Sequence, residues 1–242
     1  MLEGLQRALR AQASPEKAVL LQRFFKTGPG QYGEGDRFLG LTVPTTRQTI
    51  RDFQNKLSLK EVRQLLHSPW HEERLAAVLI LVAQYRAGSE SKRQKIYQLY
   101  LDNSAWVNNW DLVDSSAHYI VGPWLDGRPD KLSMLNRLAK SSLVWDRRIA
   151  ILATFDYIRQ ARADEALLIA ELLLHDQHDL IQKAVGWMLR EVGKRVDRQI
   201  LLQFLDKHAA TMPRTTLRYA IEHLDPQVRQ AYLGKSSDNT LQ

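Results

Sequence analysis

A chain of 242 residues, 44% hydrophobic and 25% charged, has the composition of an ordinary globular protein and is long enough to bury a sizeable core. It contains no cysteine, which excludes disulfides, thiolate zinc sites and a cysteine nucleophile. Its 34 Lys and Arg against 27 Asp and Glu leave a formal charge of +7, a surplus that favours an anionic partner such as nucleic acid or a membrane surface.

Met1 opens directly onto an amphipathic helical pattern, and no apolar run approaches the roughly 18 residues of a membrane span, so a soluble, cytoplasmic protein is expected, nucleoid-associated if bacterial. Residues 1–26 read as two helices broken at Ser14-Pro15, where Ser14 caps and Pro15 fits the first turn. The stretch G-P-G-Q-Y-G-E-G-D, residues 28–36, lacks the P-loop pattern and reads as a long surface loop, either a connector or a flexible edge against a ligand. Pro44 opens a helix and Ser58 caps another. Pro69-Trp70 begins a long one through residue 87, and Ser89 caps the next through 101. Further helices are expected over 106–121, where Gly122-Pro123 is the stop, and over 129–140, 143–159, 163–174, 179–192, 197–208 and 213–223. Alternating β-branched runs are missing, so the class is all-α, and the polar tail 235–242 is expected to fray.

The later helices repeat. R-L-A-A-V from Arg74, R-I-A-I-L from Arg148, K-A-V-G-W from Lys183 and R-Y-A-I-E from Arg218 each fall on the second helix of a pair, at separations of 74, 35 and 35. A missing unit would place its matching position near Asp111. Helix pairs of this period indicate a HEAT-like solenoid, taken as a single domain over 1–234, and the tetratricopeptide consensus is absent. Second helices tend to line one concave wall, so Arg74, Arg148, Lys183 and Arg218 are expected to form a basic stripe suited to a phosphate backbone. The competing reading pairs each cation with an acidic neighbour at a repeat junction.

The stretch V-N-N-W-D-L-V-D, residues 107–114, sets Trp110 and Asp114 four apart, which on a helix turns an indole and a carboxylate to one face. W-D-R-R at 145–148 and G-W-M-L-R at 186–190 recur downstream. With Arg148 and Trp187 on neighbouring repeats, the four side chains are expected to converge in one cleft. A carboxylate between two indoles stabilises developing positive charge, as forms on a sugar when an N-glycosidic bond breaks, and an arginine there holds a phosphate or orients the carboxylate. Other constellations are weaker. His175 and His178 flank a turn and make a poor zinc pair, and His118, on the Asp114 face, reads more readily as a satisfied helix histidine than as a base. Neither G-x-S-x-G nor H-E-x-x-H occurs, and Trp70, Trp106, Trp124 and Trp145 read as repeat-junction core.

Through N-W-D-L-V-D, W-D-R-R-I-A and K-A-V-G-W-M-L-R-E, the sequence resembles the AlkD-like family of DNA alkylation repair glycosylases, over about residues 24–233. The resemblance implies a HEAT-like fold and hydrolytic removal of cationic N3- and N7-alkylated purines from duplex DNA. It implies an abasic product without strand cleavage, no metal and no capture of the base in a pocket; no cofactor and no obligate protein partner are expected, and a repeat solenoid with capped ends is expected to work as a monomer. It places the catalytic aspartate on Asp114, its partner arginine on Arg148 and the sugar-contacting tryptophans on Trp110 and Trp187. Arg74, Lys183, Arg190 and Arg218 are carried as DNA-binding residues. Phe24 and Phe25 stand where the family sets an early-helix aromatic against DNA, while the 28–36 loop is longer than the family pattern and Tyr32 is a weaker aromatic candidate. The alternatives are a DNA-binding relative that has lost cleavage and a solenoid scaffold for an acidic protein.

Overall fold

The computed structural model describes residues 1–234, so the expected frayed tail lies outside the described residues. Regular structure among the described residues is helical, apart from one isolated bridge between Arg37 and Trp70. The chain clusters into two compact units, 1–120 and from Val121 onward, where the sequence reading takes one repeat domain.

The first unit holds α1 (Leu2–Arg10), α2 (Pro15–Phe24), α3 (Val43–Ile50), α4 (Leu59–Leu66), α5 (His71–Ala87), α6 (Glu90–Asp102) and α7 (Trp110–Asp114). Its starts are written in local chemistry. Ser14, Thr42 and Ser89 each accept the backbone N–H three residues on. Ser58 and Glu61 close a capping box. α5 is apolar almost all round from Leu75 to Val82, which demands burial on every side, and it packs against α3, α4, α6 and α7.

The expected helix over 106–121 is three pieces: a 3₁₀ turn at Ser104–Trp106, then α7, then α8 (Ala117–Leu125). The hydroxyl of Ser116, at the α7 to α8 break, donates to the Leu112 carbonyl at 2.6 Å and pairs with the Tyr100 hydroxyl at 2.8 Å, so the break is hydrogen-bonded rather than loose. Gly122-Pro123 does not stop the helix, which runs on to Leu125. A Cβ at Gly122 would stand 2.5 Å from the Ala153 carbonyl, so this glycine allows a close helix approach.

The second unit continues with α9 (Lys131–Ala139), α10 (Val144–Ala153), α11 (Phe155–Ile158), α12 (Asp164–Leu172), α13 (Asp179–Arg195), α14 (Arg198–His208), α15 (Arg214–Ala220) and α16 (Pro226–Gly234). The span expected as one helix over 143–159 breaks at Thr154, and α16 lies beyond the last expected helix. α13 is the centre of this unit, packed on α10, α12, α14 and α15.

The helix pairs are real, but their register differs from the sequence alignment by one residue. α5, α10 and α13 begin with the same device. The side chain of Ser68, Ser141 or Asp176 accepts the N–H of the second residue on, at 3.1, 3.1 and 2.8 Å. The carbonyl of the same residue accepts from the side chain six on, Arg74, Arg147 or Gln182, at 2.9 Å in each case. Arg74 is therefore equivalent to Arg147 and Gln182, and Leu75 to Arg148 and Lys183. One residue is about 100° of helix, enough to turn a side chain from one face to another.

Candidate active site

In the first unit everything converges on the first turn of α5, His71-Glu72-Glu73-Arg74, four consecutive polar residues each no more than 2% exposed. Each holds a different segment. Glu72 accepts the backbone N–H groups of Leu39, Gly40 and Leu41 at 2.8, 2.8 and 3.1 Å. Glu73 accepts from Arg10 and Gln6 of α1 at 2.8 and 2.9 Å, and from Ser68 at 2.7 Å. Arg74 forms an ion pair with Asp36 at 2.7 Å, and His71 reaches Asp111 at 2.8 Å and Asp36 at 3.5 Å.

This corrects the place of Arg74, which is not a phosphate contact on an open wall: burial and the Asp36 pair occupy it. The 28–36 loop likewise ends in an anchor rather than a free edge. Burial disfavours the charge on His71, but Asp111 and Asp36 outweigh it and push its pKa up to about 9. Burial also works against the Asp36 carboxylate, while His71 and Arg74 hold it below its usual range.

α7 carries the candidate centre. Buried Asn109 accepts the Trp110 N–H at 2.8 Å, and the next residue, Asp111, is tied to α5 through His71. Trp110 and Asp114, the two ends of this short helix, line one cavity of about 550 Å³. The Trp110 indole stacks on Phe25 with ring centroids 5.2 Å apart and 24° between planes. Phe25 in turn stacks on Phe38 at 5.2 Å, and Phe24 meets the indole edge-on at 5.9 Å. Phe25, 7% exposed, is thus a support for Trp110 rather than a DNA contact, whereas Phe24 is 62% exposed. The rest of the lining is mainly apolar, with Leu20 and Val43 exposed at the rim and Leu75 buried.

In the second unit, Arg148 is 5% exposed and donates to the Leu180 carbonyl at 2.5 Å. Lys183, Trp187 and Arg190 follow one face of α13. Lys183 pairs with Asp179 one turn back at 2.7 Å, an exposed pair of small worth that another anion can replace. Trp187, half-buried beside Phe155, donates from Nε1 to Glu191 at 3.3 Å. Burial alone would raise the Glu191 carboxyl, but Arg195, Arg190 and Trp187 hold it below the ordinary range. Arg190 is engaged by Glu222 and Glu191, while Arg218 is exposed. His178 spends its Nδ1 on the Leu180 N–H at the start of α13, and His118 is buried against Tyr119.

Sequence reasoning reached Trp110 and Asp114 but missed His71, Glu72, Glu73, Asp36 and the cavity. A signal for the first three was present: H-E-E-R opens a helix that is apolar all round, so its polar residues have nowhere to go but inward. The meeting of α2 with Trp110 left no local sign.

The family model for DNA alkylation repair enzymes matches residues 5–224. Among solved structures, the chain is similar to an Enterococcus faecalis protein described as a predicted DNA alkylation repair enzyme. The two share 16% identity at a TM-score of 0.69, over 89% of this chain and 98% of that one, a likeness of fold. No functionally curated protein matches the sequence.

Proposed function

The chain belongs to the DNA alkylation repair enzyme family, and on that premise we propose that it is a glycosylase that hydrolyses the N-glycosidic bond of cationic N3- or N7-alkylated purines in duplex DNA. The observation that carries this reading is the pairing of Trp110 and Asp114 on one wall, with the indole fixed by Phe25 and the helix fixed through His71 and Asp111. A preorganised carboxylate beside an aromatic face favours positive charge that develops late in a reaction.

The chemistry balances without a metal. The bond from C1′ to the purine nitrogen breaks, and its electron pair leaves with the base. The base departs neutral because the alkyl group has already made it cationic. C1′ carries the charge that Asp114 stabilises, and water adds there and gives up one proton, leaving an abasic site and an intact strand. Little general acid help is required, so the base need not be gripped. Phe24, Lys183, Arg190 and Arg218 are the proposed DNA contacts, with Trp187 a sugar contact and Arg148 a positioning residue.

The test is single-turnover release of 7-methylguanine from methylated duplex without added metal, wild type beside Asp114→Asn. The variant is expected to keep DNA binding and lose about 10²- to 10³-fold in rate, the scale of removing one preorganised stabilising group. An unchanged rate removes Asp114 from the chemistry. No release by either protein, with DNA binding intact, makes the chain a non-cleaving relative.

A further inference from the structure

Glu191 is buried on α13 although a carboxylate near the end of a helix has an easy route to water. Its side chain is 6% exposed, while that of its ion-pair partner Arg195, one turn on, is 44% exposed. A pair of this spacing made for helix stability alone stands in solvent and contributes little. Burying the carboxylate adds a desolvation cost that one ion pair does not reliably offset. Stability is therefore a poor account of where Glu191 sits.

The carboxylate organises the side chains around it. Its Oε2 accepts from Arg195 Nε at 2.5 Å, and its Oε1 accepts from Trp187 Nε1 at 3.3 Å and from the Arg190 guanidinium at 3.4 Å. Arg195 in turn lays its guanidinium over the Phe155 ring, 5.3 Å from the centroid, and Phe155 stands 6.1 Å from Trp187. Trp187, Glu191, Arg195 and Phe155 thus close a circuit of contacts around a half-buried indole. Arg195 anchors one oxygen, and the other is left to the indole and Arg190.

A tryptophan side chain turns through a broad second torsion, so a neighbour on one side leaves the ring able to swing. An acceptor at Nε1 removes that freedom. It fixes which edge of the indole points inward, and with Phe155 beside the ring it fixes which part a ligand meets. The cost of burying the carboxylate is then matched to a result that packing alone does not give.

We propose that Glu191 is a positioning residue, which holds the Trp187 indole in the orientation that meets the deoxyribose. The contact with the sugar rests on the glycosylase reading above; the hold on the indole stands apart from it. Glu191 itself touches no DNA in this role, and its effect on base release runs through Trp187.

The experiment is a double-mutant cycle on single-turnover release of 7-methylguanine from methylated duplex. Glu191→Ala removes the acceptor, and Trp187→Phe keeps a ring without the N–H. With Trp187 in place, Glu191→Ala is expected to slow release about 10-fold or more, within the roughly 10²-fold that a misplacement of about 1 Å costs. In the Trp187→Phe background the same substitution should change the rate by less than about 2-fold. Equal losses in both backgrounds mark a merely structural role and overturn the proposal, as does a loss below about 2-fold in the wild type. If the alanine variant does not fold, Glu191→Asp, which keeps the charge and withdraws the oxygens by one methylene, takes its place in the same cycle. A second readout needs no turnover. In protein carrying isotope-labelled tryptophan, the Trp187 indole N–H resonance is assigned by its loss in Trp187→Phe. It should move upfield and exchange faster with water once Glu191 is replaced. If the wild type binds DNA and releases no base, the glycosylase reading fails and this resonance alone decides the positioning: a shift retains it, and an unmoved resonance overturns it.

Discussion

Glu72→Ala is expected to unfasten the segment that forms one wall of the cavity. Glu72 is 1% exposed and its carboxylate accepts three backbone N–H groups, from Leu39, Gly40 and Leu41. Leaving a buried donor without a partner costs about 1 to 3 kcal/mol. The segment has little room to turn those donors to water. Leu39 and Leu41 are each 5% exposed, and Gly40, at φ +86°, lies so close to Ser14 that a Cβ would stand 2.1 Å from its carbonyl oxygen. Partial relaxation brings the three losses to about 3 to 5 kcal/mol, the cost of breaking a buried charged arrangement from one side. Glu72→Gln keeps one carbonyl acceptor and loses the charge, for about 1 to 2 kcal/mol. Urea unfolding should show lower midpoints at an unchanged m-value, and amide exchange at residues 39–41 should accelerate in the alanine variant. A loss below about 1 kcal/mol in Glu72→Ala, with those amides still protected, would refute the claim that this carboxylate holds the wall.

His71 gives a pH test. Its pKa is raised in the folded protein to about 9 from 6.5, so its contribution is complete below about 6.5 and disappears as pH rises through about 9. At about 1.4 kcal/mol per unit, the swing is on the order of 3 kcal/mol. Wild-type stability should fall across that window and His71→Gln should flatten the fall; equal slopes in the two proteins would show that His71 does not carry the charge. Gly186→Ala should lower thermal stability, because the new Cβ would meet the Thr216 carbonyl oxygen and the Tyr219 Cβ, both at 2.5 Å. Overpacking of about 1 to 3 kcal/mol exceeds the gain of up to about 1 kcal/mol in helix propensity, and a rise in Tm would contradict this α13 to α15 contact. Phe25→Ala should cost about 3 to 5 kcal/mol in urea unfolding and leave the Trp110 indole unsupported, with 7-methylguanine release falling even in protein confirmed folded; undiminished release would show that the stack does not position Trp110.

The sequence by itself determined the helical class, most helix starts and the pairing of Trp110 with Asp114, because caps and periodicity act within a turn or two of chain. Ser14, Ser58 and Ser89 cap where their neighbours say they should, and the four-residue spacing of Trp110 and Asp114 needs only one turn of α7 to become a shared face. The repeat was legible in period but not in phase. A cation followed by small apolar residues fits two adjacent positions, and the hydrogen bonds from Ser68, Ser141 and Asp176 were needed to choose between them. Tertiary structure alone decided that Arg74 is spent on Asp36, that Phe25 supports Trp110 while Phe24 stays at the rim, and that a cavity opens beside Asp114. Each of these depends on segments tens of residues apart, and whether a polar side chain faces solvent or a buried partner is settled by what the fold packs against it.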